Sequence, residues 1–278
     1  MTHPLLKTLK IGFIGAGNMT QALIKGMIES KQVHAEKIFV SNRTPGKLIK
    51  LKELYSVQTV DYNEDVVDQC DIVILAMKPQ DLPQAVSEFS GKFRDEQIIV
   101  SLAAGINSNS LSKYIPTGRI FRLMPNTPSL IGRGVIGLFS DEQDDSASDI
   151  LSELFKVLGV VLQVETEDQF DALMVSCSSG TGFVFEMMLY WQDWIQEHGF
   201  TSDEAKNMTI ETFLGASLLA AQSAGIDIEE LQQRVTSKKG VTAAGLHSMR
   251  ELEIERALRI SFEKASMRSQ EIARQNKI

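Results

Sequence analysis

The sequence predicts an α/β fold: a doubly wound, mostly parallel sheet followed by an all-helical C-terminal domain. Three observations carry that reading. Short runs rich in β-branched and apolar residues alternate with helical patterns through the first half of the chain, and such alternation builds a parallel sheet covered by helices. Several of the runs, IVILAM and IIVSLA among them, are apolar at nearly every position, so both of their faces should be buried. From Glu167 onward the strand signals stop and apolar residues recur with a period of about 3.6.

Taken in order, a first strand over residues 10–14 (KIGFI) ends in a glycine turn, and the helical pattern MTQALIKGMI follows it. Further strands are expected over residues 37–41, 71–76, 97–102, 119–124 and 135–139. SDEQDDSASDI (140–150) reads as a polar turn and a helix start, and VVLQVETE after Gly159 as one more strand. In the second half, Thr201 with Glu204 and Asp227 with Glu230 have the spacing of capping boxes, in which side-chain oxygens take up the orphan amides of a helix start. The domain boundary is placed near residue 165, giving an α/β domain over 1–165 and an all-helical domain over 166–278.

Composition narrows the function. The chain has 278 residues, 43% apolar and 23% charged, an ordinary globular balance long enough for two domains. No uninterrupted apolar run reaches the roughly eighteen residues that a membrane span needs, and MTHPLLKTLK has no signal-peptide core; a cytoplasmic protein without a membrane partner is expected. Two cysteines, Cys70 and Cys177, and four scattered histidines predict neither disulfide nor metal. A net charge of −8 argues against nucleic acid and leaves a small molecule as the partner.

The turn Gly15-Ala16-Gly17-Asn18-Met19-Thr20 fits G-x-G-x-x-G in its first two glycines, with Thr20 at the third. The first glycine permits a tight turn, and the second lets backbone approach a diphosphate resting on the helix N-terminus. Its strand–turn–helix context gives a Rossmann-like fold and a dinucleotide; the alternative is a glycine-rich turn serving another ligand. The next strand ends in Ser41-Asn42-Arg43-Thr44, with Lys47 one turn on, where a carboxylate would select an unphosphorylated ribose. Arg43 instead suits a 2′-phosphate, favouring NADPH over NADH, unless it merely lies on a solvated loop. AMKPQ (76–80) and SLAAGI (101–106) follow strands at the carboxyl edge of the sheet and allow close backbone approach, although either alone suits ordinary turn chemistry.

With RLMPNTP (122–128) and VTSKKGVTAAGLH (235–247) these motifs form a series that resembles the pyrroline-5-carboxylate reductase family, which reduces a cyclic imine to proline with NAD(P)H. The resemblance implies that Gly15, Gly17, Asn18 and Met19 lie on the diphosphate, Ser41, Asn42 and Arg43 on the adenosine side, and Asn63 near the adenine ribose. It places Met77, Lys78, Pro79, Ala103 and Gly105 around the nicotinamide half, and Asn126 facing the active site as a catalytic candidate beside Thr242. Gly240, Val241 and Thr242, at a helix start, are the implied substrate contacts: amides suited to a small carboxylate and a hydroxyl for the imine nitrogen. The alternative for Thr242 is capping of its own helix. The resemblance further implies an interleaved dimer, or a larger assembly, built through the helical domain.

The chain departs from the family pattern at Lys238 and Lys239, where Pro and Gly are usual, at Ser178 to Phe183, and at Glu251 to Glu255, which replace a small-Gly-Gly-aromatic-Arg stretch. The two lysines suit a carboxylate contact or lie as plain loop charges. Hydride addition to a protonated imine needs positioning more than a general acid, which agrees with His198 and His247 lying in no catalytic constellation. The competing functions are a related NADP-dependent imine or β-hydroxyacid reductase and a nucleotide-binding paralogue without turnover.

Overall fold

The computed structural model describes residues 4–275. Eight strands, β1 (Ile11–Ile14), β2 (Ile38–Ser41), β3 (Gln58–Val60), β4 (Ile72–Leu75), β5 (Ile98–Ser101), β6 (Arg119–Met124), β7 (Gly134–Phe139) and β8 (Gly159–Gln163), form one sheet in the order β3-β2-β1-β4-β5-β6-β7-β8. Every neighbouring pair is parallel except β6 with β7. The winding reverses between β1 and β4, and ligands of open α/β sheets bind in the crevice outside that switch point.

Burial explains the all-apolar strand runs. In β4, Ile72 and Ile74 join one core, with Leu23, Ile24 and Met27 of α1 (Asn18–Glu29), Leu51 of α2 (Pro45–Tyr55) and Leu151 of α6 (Asp145–Phe155). Val73 and Leu75 point the other way, into a core with Val66 of α3 (Asn63–Gln69), Val86 of α4 (Leu82–Ser87) and Leu111 of α5 (Ser108–Tyr114). Each such aliphatic side chain contributes about 1.5–3 kcal/mol by leaving water. The edge strand β3, QTV, has no apolar run to announce it and was not foreseen.

After the sheet the chain is helical: α7 (Glu167–Leu173), a π-helical segment (Met174–Ser179), α8 (Gly180–Glu197), α9 (Ser202–Gln222), α10 (Ile228–Arg234), α11 (Val241–Glu251) and α12 (Ile254–Gln275). Two compact units result, one up to Ser179 together with the chain from Ala265, the other Gly180–Lys264. The strand-to-helix change thus comes at about residue 165, while the sheet unit also claims α7 and the π segment through the contacts of Phe170 and Leu173 with Phe139 and Met124.

Within Gly180–Lys264, Trp191 of α8 stands edge-on to Phe213 of α9 at 5.3 Å, and Phe183 lies 5.4 Å from Phe262. Among the described residues of α8 and α9 only Gly180, Ile195, Ala205 and Thr209 are buried, and Phe185, Leu189 and Trp194 are more than half exposed. A helical unit with so little core of its own has apolar faces that need cover.

One expectation is corrected. The capping box of Thr201 and Glu204 is formed in full at α9, but Asp227 makes no side-chain cap at α10, and Glu230 pairs instead with Arg234 at 2.8 Å. The continuous helical run Glu167–Glu197 has the length and mean composition of a membrane-crossing helix, although Ser, Gly and Thr interrupt its apolar residues. Two polar bonds hold the π segment within the sheet unit: Asn126 Nδ2 donates to Cys177 O at 3.1 Å and Ser178 Oγ to Pro125 O at 3.3 Å.

Candidate active site

The glycine turn sits at the switch point and is braced from three sides. Gly15 N donates to Ser41 O at 2.9 Å, Ala16 N to Asn42 Oδ1 at 3.0 Å, and Thr20 Oγ1 to Gly15 O at 2.9 Å. Thr20 therefore stands in for the third glycine by spending its hydroxyl on the turn. Gly15 has φ +114°, and a Cβ there would lie 2.6 Å from Ala76 O, so the position excludes any side chain.

Gly17 differs. As N-cap of α1 it has φ −74°, and a Cβ would meet no protein atom within 4 Å. The two glycines thus divide their roles: the fold requires Gly15, and no protein atom excludes a side chain at Gly17, where only a ligand would. No side chain caps α1 and no acidic residue lies in its first turn, so the amides around Asn18 and Met19 face open space with the positive end of the dipole. That is the chemistry a diphosphate needs, and the residues present fit a dinucleotide.

On the β2 side, Asn42 is consumed as a brace, since its Nδ2 also donates to Thr44 O at 3.0 Å. Ser41 Oγ donates to Asn63 Oδ1 at 2.8 Å, which leaves the Asn63 amide nitrogen without a partner among the described residues. Arg43 and Lys47 are exposed and form no ion pair among the described residues. Beside them α2 starts without a side-chain cap or first-turn acid. Two cations and a second open helix start make a second anion-attracting corner.

At the other half of the carboxyl edge, Ala76 N extends the ladder by donating to Ile14 O at 2.9 Å, and Met77, Lys78 and Pro79 follow in the loop. After β5, Ala103 is buried, its amide donating to Ser101 Oγ at 3.3 Å, and Gly105 takes φ +74°.

Asn126, read from the resemblance as facing the active site, turns its amide inward. It is 6% exposed; Oδ1 accepts from Val135 N at 3.0 Å and from Ser129 Oγ at 3.4 Å, while Nδ2 donates to the Cys177 carbonyl oxygen at 3.1 Å. Its geometry is that of a brace for the Pro125–Thr127 loop.

In the helical unit, Gly240 is the N-cap of α11, with no side-chain cap. Thr242 does not cap its own helix. Its hydroxyl is exposed and has no partner among the described residues, and Val241 is 93% exposed. Lys239, just before the cap, holds φ +61°, and Lys238 and Lys239 are exposed without ion pairs. His198 stacks on Trp194 with Nδ1 2.8 Å from Trp194 O, and His247 pairs with Glu251 at 3.3 Å. Both are accounted for by their own helices.

Sequence reasoning missed the charged group beneath the loops. Arg122 of β6 is buried, its guanidinium over the Phe170 ring at 4.2 Å and paired with Glu167. Burial pulls its pKa down, with the Glu167 and Asp171 charges opposing; burial likewise raises the Asp171 carboxyl. A charge inside the strand RIFRLM was the available signal, because a buried cation demands a partner.

Comparison with known proteins agrees with this geometry. Residues 10–105 match the family model described as NADP oxidoreductase coenzyme F420-dependent, and residues 167–272 the model described as pyrroline-5-carboxylate reductase dimerisation. The pyrroline-5-carboxylate reductase of Pseudomonas aeruginosa is 33% identical over 272 residues, covering 97% of this chain and 99% of that protein. A solved structure of a pyrroline-5-carboxylate reductase from Coxiella burnetii, 29% identical, superposes with a TM-score of 0.91 over 96% of this chain and 99% of the other. The Plasmodium falciparum pyrroline carboxylate reductase, solved with NADP bound, shares the fold at 22% identity, with a TM-score of 0.83 over 96% and 99% of the two chains. At 33% identity over nearly the full length of both proteins, with the dimerisation model matched over 167–272, the chain belongs to the pyrroline-5-carboxylate reductase family.

Proposed function

We propose that the chain reduces 1-pyrroline-5-carboxylate to proline, using NAD(P)H with NADPH preferred. One observation carries the reading: likeness to reductases of this name spans the whole chain at 33% identity, nucleotide turn and helical region together. The open α1 start beyond Gly15 supports a seat for the diphosphate. Arg43 and Lys47 are the residues for a 2′-phosphate, and Asn63 for the adenine ribose. Met77, Lys78, Pro79, Ala103 and Gly105 border the nicotinamide half.

The bound nucleotide supplies a hydride to the imine carbon as the C=N π bond opens. The α11 amides at Gly240, Val241 and Thr242 hold the substrate carboxylate, and the Thr242 hydroxyl meets the ring nitrogen, already protonated from water. Positioning of this kind is worth several kcal/mol of the barrier. Asn126 serves by holding the Pro125–Thr127 loop, not as a proton source.

The protein is a homo-oligomer acting on a small molecule, and we place it in the cytoplasm as at least a dimer formed through the helical region, where exposed Phe185, Leu189 and Trp194 await cover. A light-scattering mass of a single chain would contradict the assembly. The activity is tested by following NADPH loss with pyrroline-5-carboxylate beside a panel of other small imines and keto acids; consumption specific to pyrroline-5-carboxylate supports it, and preference for another member of the panel overturns it.

A further inference from the structure

We propose that Glu167 is a positioning residue for the nicotinamide end of the nucleotide site, acting through Ser108 and Arg122. The inference rests on the nucleotide placement proposed above. Glu167 is the first residue of α7, and its two carboxylate oxygens serve different elements. Oε2 pairs with Arg122 of β6, the strand that runs into Pro125 and Asn126. Oε1 accepts from the backbone amide of Ser108 at 3.0 Å, where the loop of Ala103 and Gly105 enters α5. One carboxylate thereby fastens the exit of that loop to the strand feeding the next one.

Packing reinforces the link. Ala104, inside the loop, lies against the cluster of Met124, Phe139, Phe170 and Leu173, and Phe170 is the ring beneath the Arg122 guanidinium. Arg122 is 3% exposed and cannot turn to water for its charge. Asp171 and Asp141 act on it only through space, so Glu167 alone among them bonds it. Asn107 caps α5 through Ser110 N at 2.9 Å, which fixes the helix but leaves the loop's tie to the sheet with Glu167. The adenosine corner at Ser41, Arg43 and Asn63 is held by separate bonds on the β2 side. Loosening Glu167 therefore disturbs one half of the nucleotide and spares the other.

The test is calorimetric titration of the full chain with NADPH and, separately, with adenosine 2′,5′-bisphosphate, which lacks the nicotinamide half. The wild type should bind both. Glu167→Gln keeps the shape and loses the charge, and its affinity for NADPH should fall about tenfold, the worth of one charged hydrogen bond, while that for the bisphosphate stays within about twofold. Should Glu167→Gln fail to fold, Ser108→Pro decides: it deletes the bonded N–H together with a hydroxyl that makes no hydrogen bond, at a first helical position where Pro is tolerated, and should show the same selective loss. A folded variant that retains both affinities, or loses both in parallel, overturns the inference. A wild type that takes up neither ligand overturns the nucleotide placement beneath it instead.

Discussion

Gly15 passes so close to Ala76 that a single added carbon would stand 2.6 Å from the Ala76 carbonyl oxygen. The first glycine of the turn is thus held by the neighbouring strand end, whereas Gly17 faces no protein atom. Gly15→Ala should cost more than about 2 kcal/mol of stability, from overlap and an unfavourable φ. Gly17→Ala should unfold at nearly the wild-type urea concentration, within about 0.5 kcal/mol. Its NADPH affinity should nevertheless drop about 10- to 100-fold, because the new methyl pushes a phosphate off its amides. Equal loss of stability in the two variants would remove the distinction.

Arg43 should decide between nucleotides. Its side chain has no ion pair among the described residues and stands beside the uncapped α2. Arg43→Ala should weaken NADPH about 10- to 100-fold, the worth of a charge-assisted bidentate contact, and leave NADH nearly unchanged. Dissociation constants for the two nucleotides, measured side by side at one salt concentration, check this.

Arg122 and Glu167 make a stability prediction separate from ligand binding. Glu167→Leu strands a cation that is 3% exposed; since Glu167 itself is 34% exposed, the loss should be about 2–4 kcal/mol, below that of a fully enclosed pair. The double variant Arg122→Met with Glu167→Leu should recover most of it, because neither residue then leaves a charge behind. Urea midpoints of the wild type, Arg122→Met, Glu167→Leu and the double variant form the cycle.

Lys239 and Glu253 hold φ +61° and +51°, left-handed conformations that glycine adopts freely, and both coincide with positions where the resemblance puts Gly. Lys239→Gly and Glu253→Gly should each stabilise by about 0.5–1 kcal/mol, the relieved strain exceeding the added freedom of the unfolded chain. A loss of stability in either would show that the turn is held by contacts of the side chain.

How much of this was legible in the sequence follows from the length scale of each cue. Strands such as IVIL at β4 and IIVS at β5 announced themselves because burial on both faces leaves almost every position apolar. QTV at β3 is too short and too polar to do so. The capping box at Thr201 depends on neighbours three residues apart and was readable. That at Asp227 failed because Glu230 found Arg234 one turn away. Glu167, and the bond by which Asn126 braces the π segment, escaped for a further reason: Arg122 and Ser108 for the one, and Cys177 for the other, lie 45 to 59 residues away in the chain, and no local pattern records such contacts.

The central claim, that this chain passes hydride from a nucleotide seated at α1 to a cyclic imine, is tested most directly by counting product. Purified protein given NADPH and pyrroline-5-carboxylate should form one proline for each NADPH consumed, and Thr242→Ala should slow that turnover while NADPH still binds. NADPH consumption that does not rise with pyrroline-5-carboxylate, or that rises without proline appearing, would contradict it.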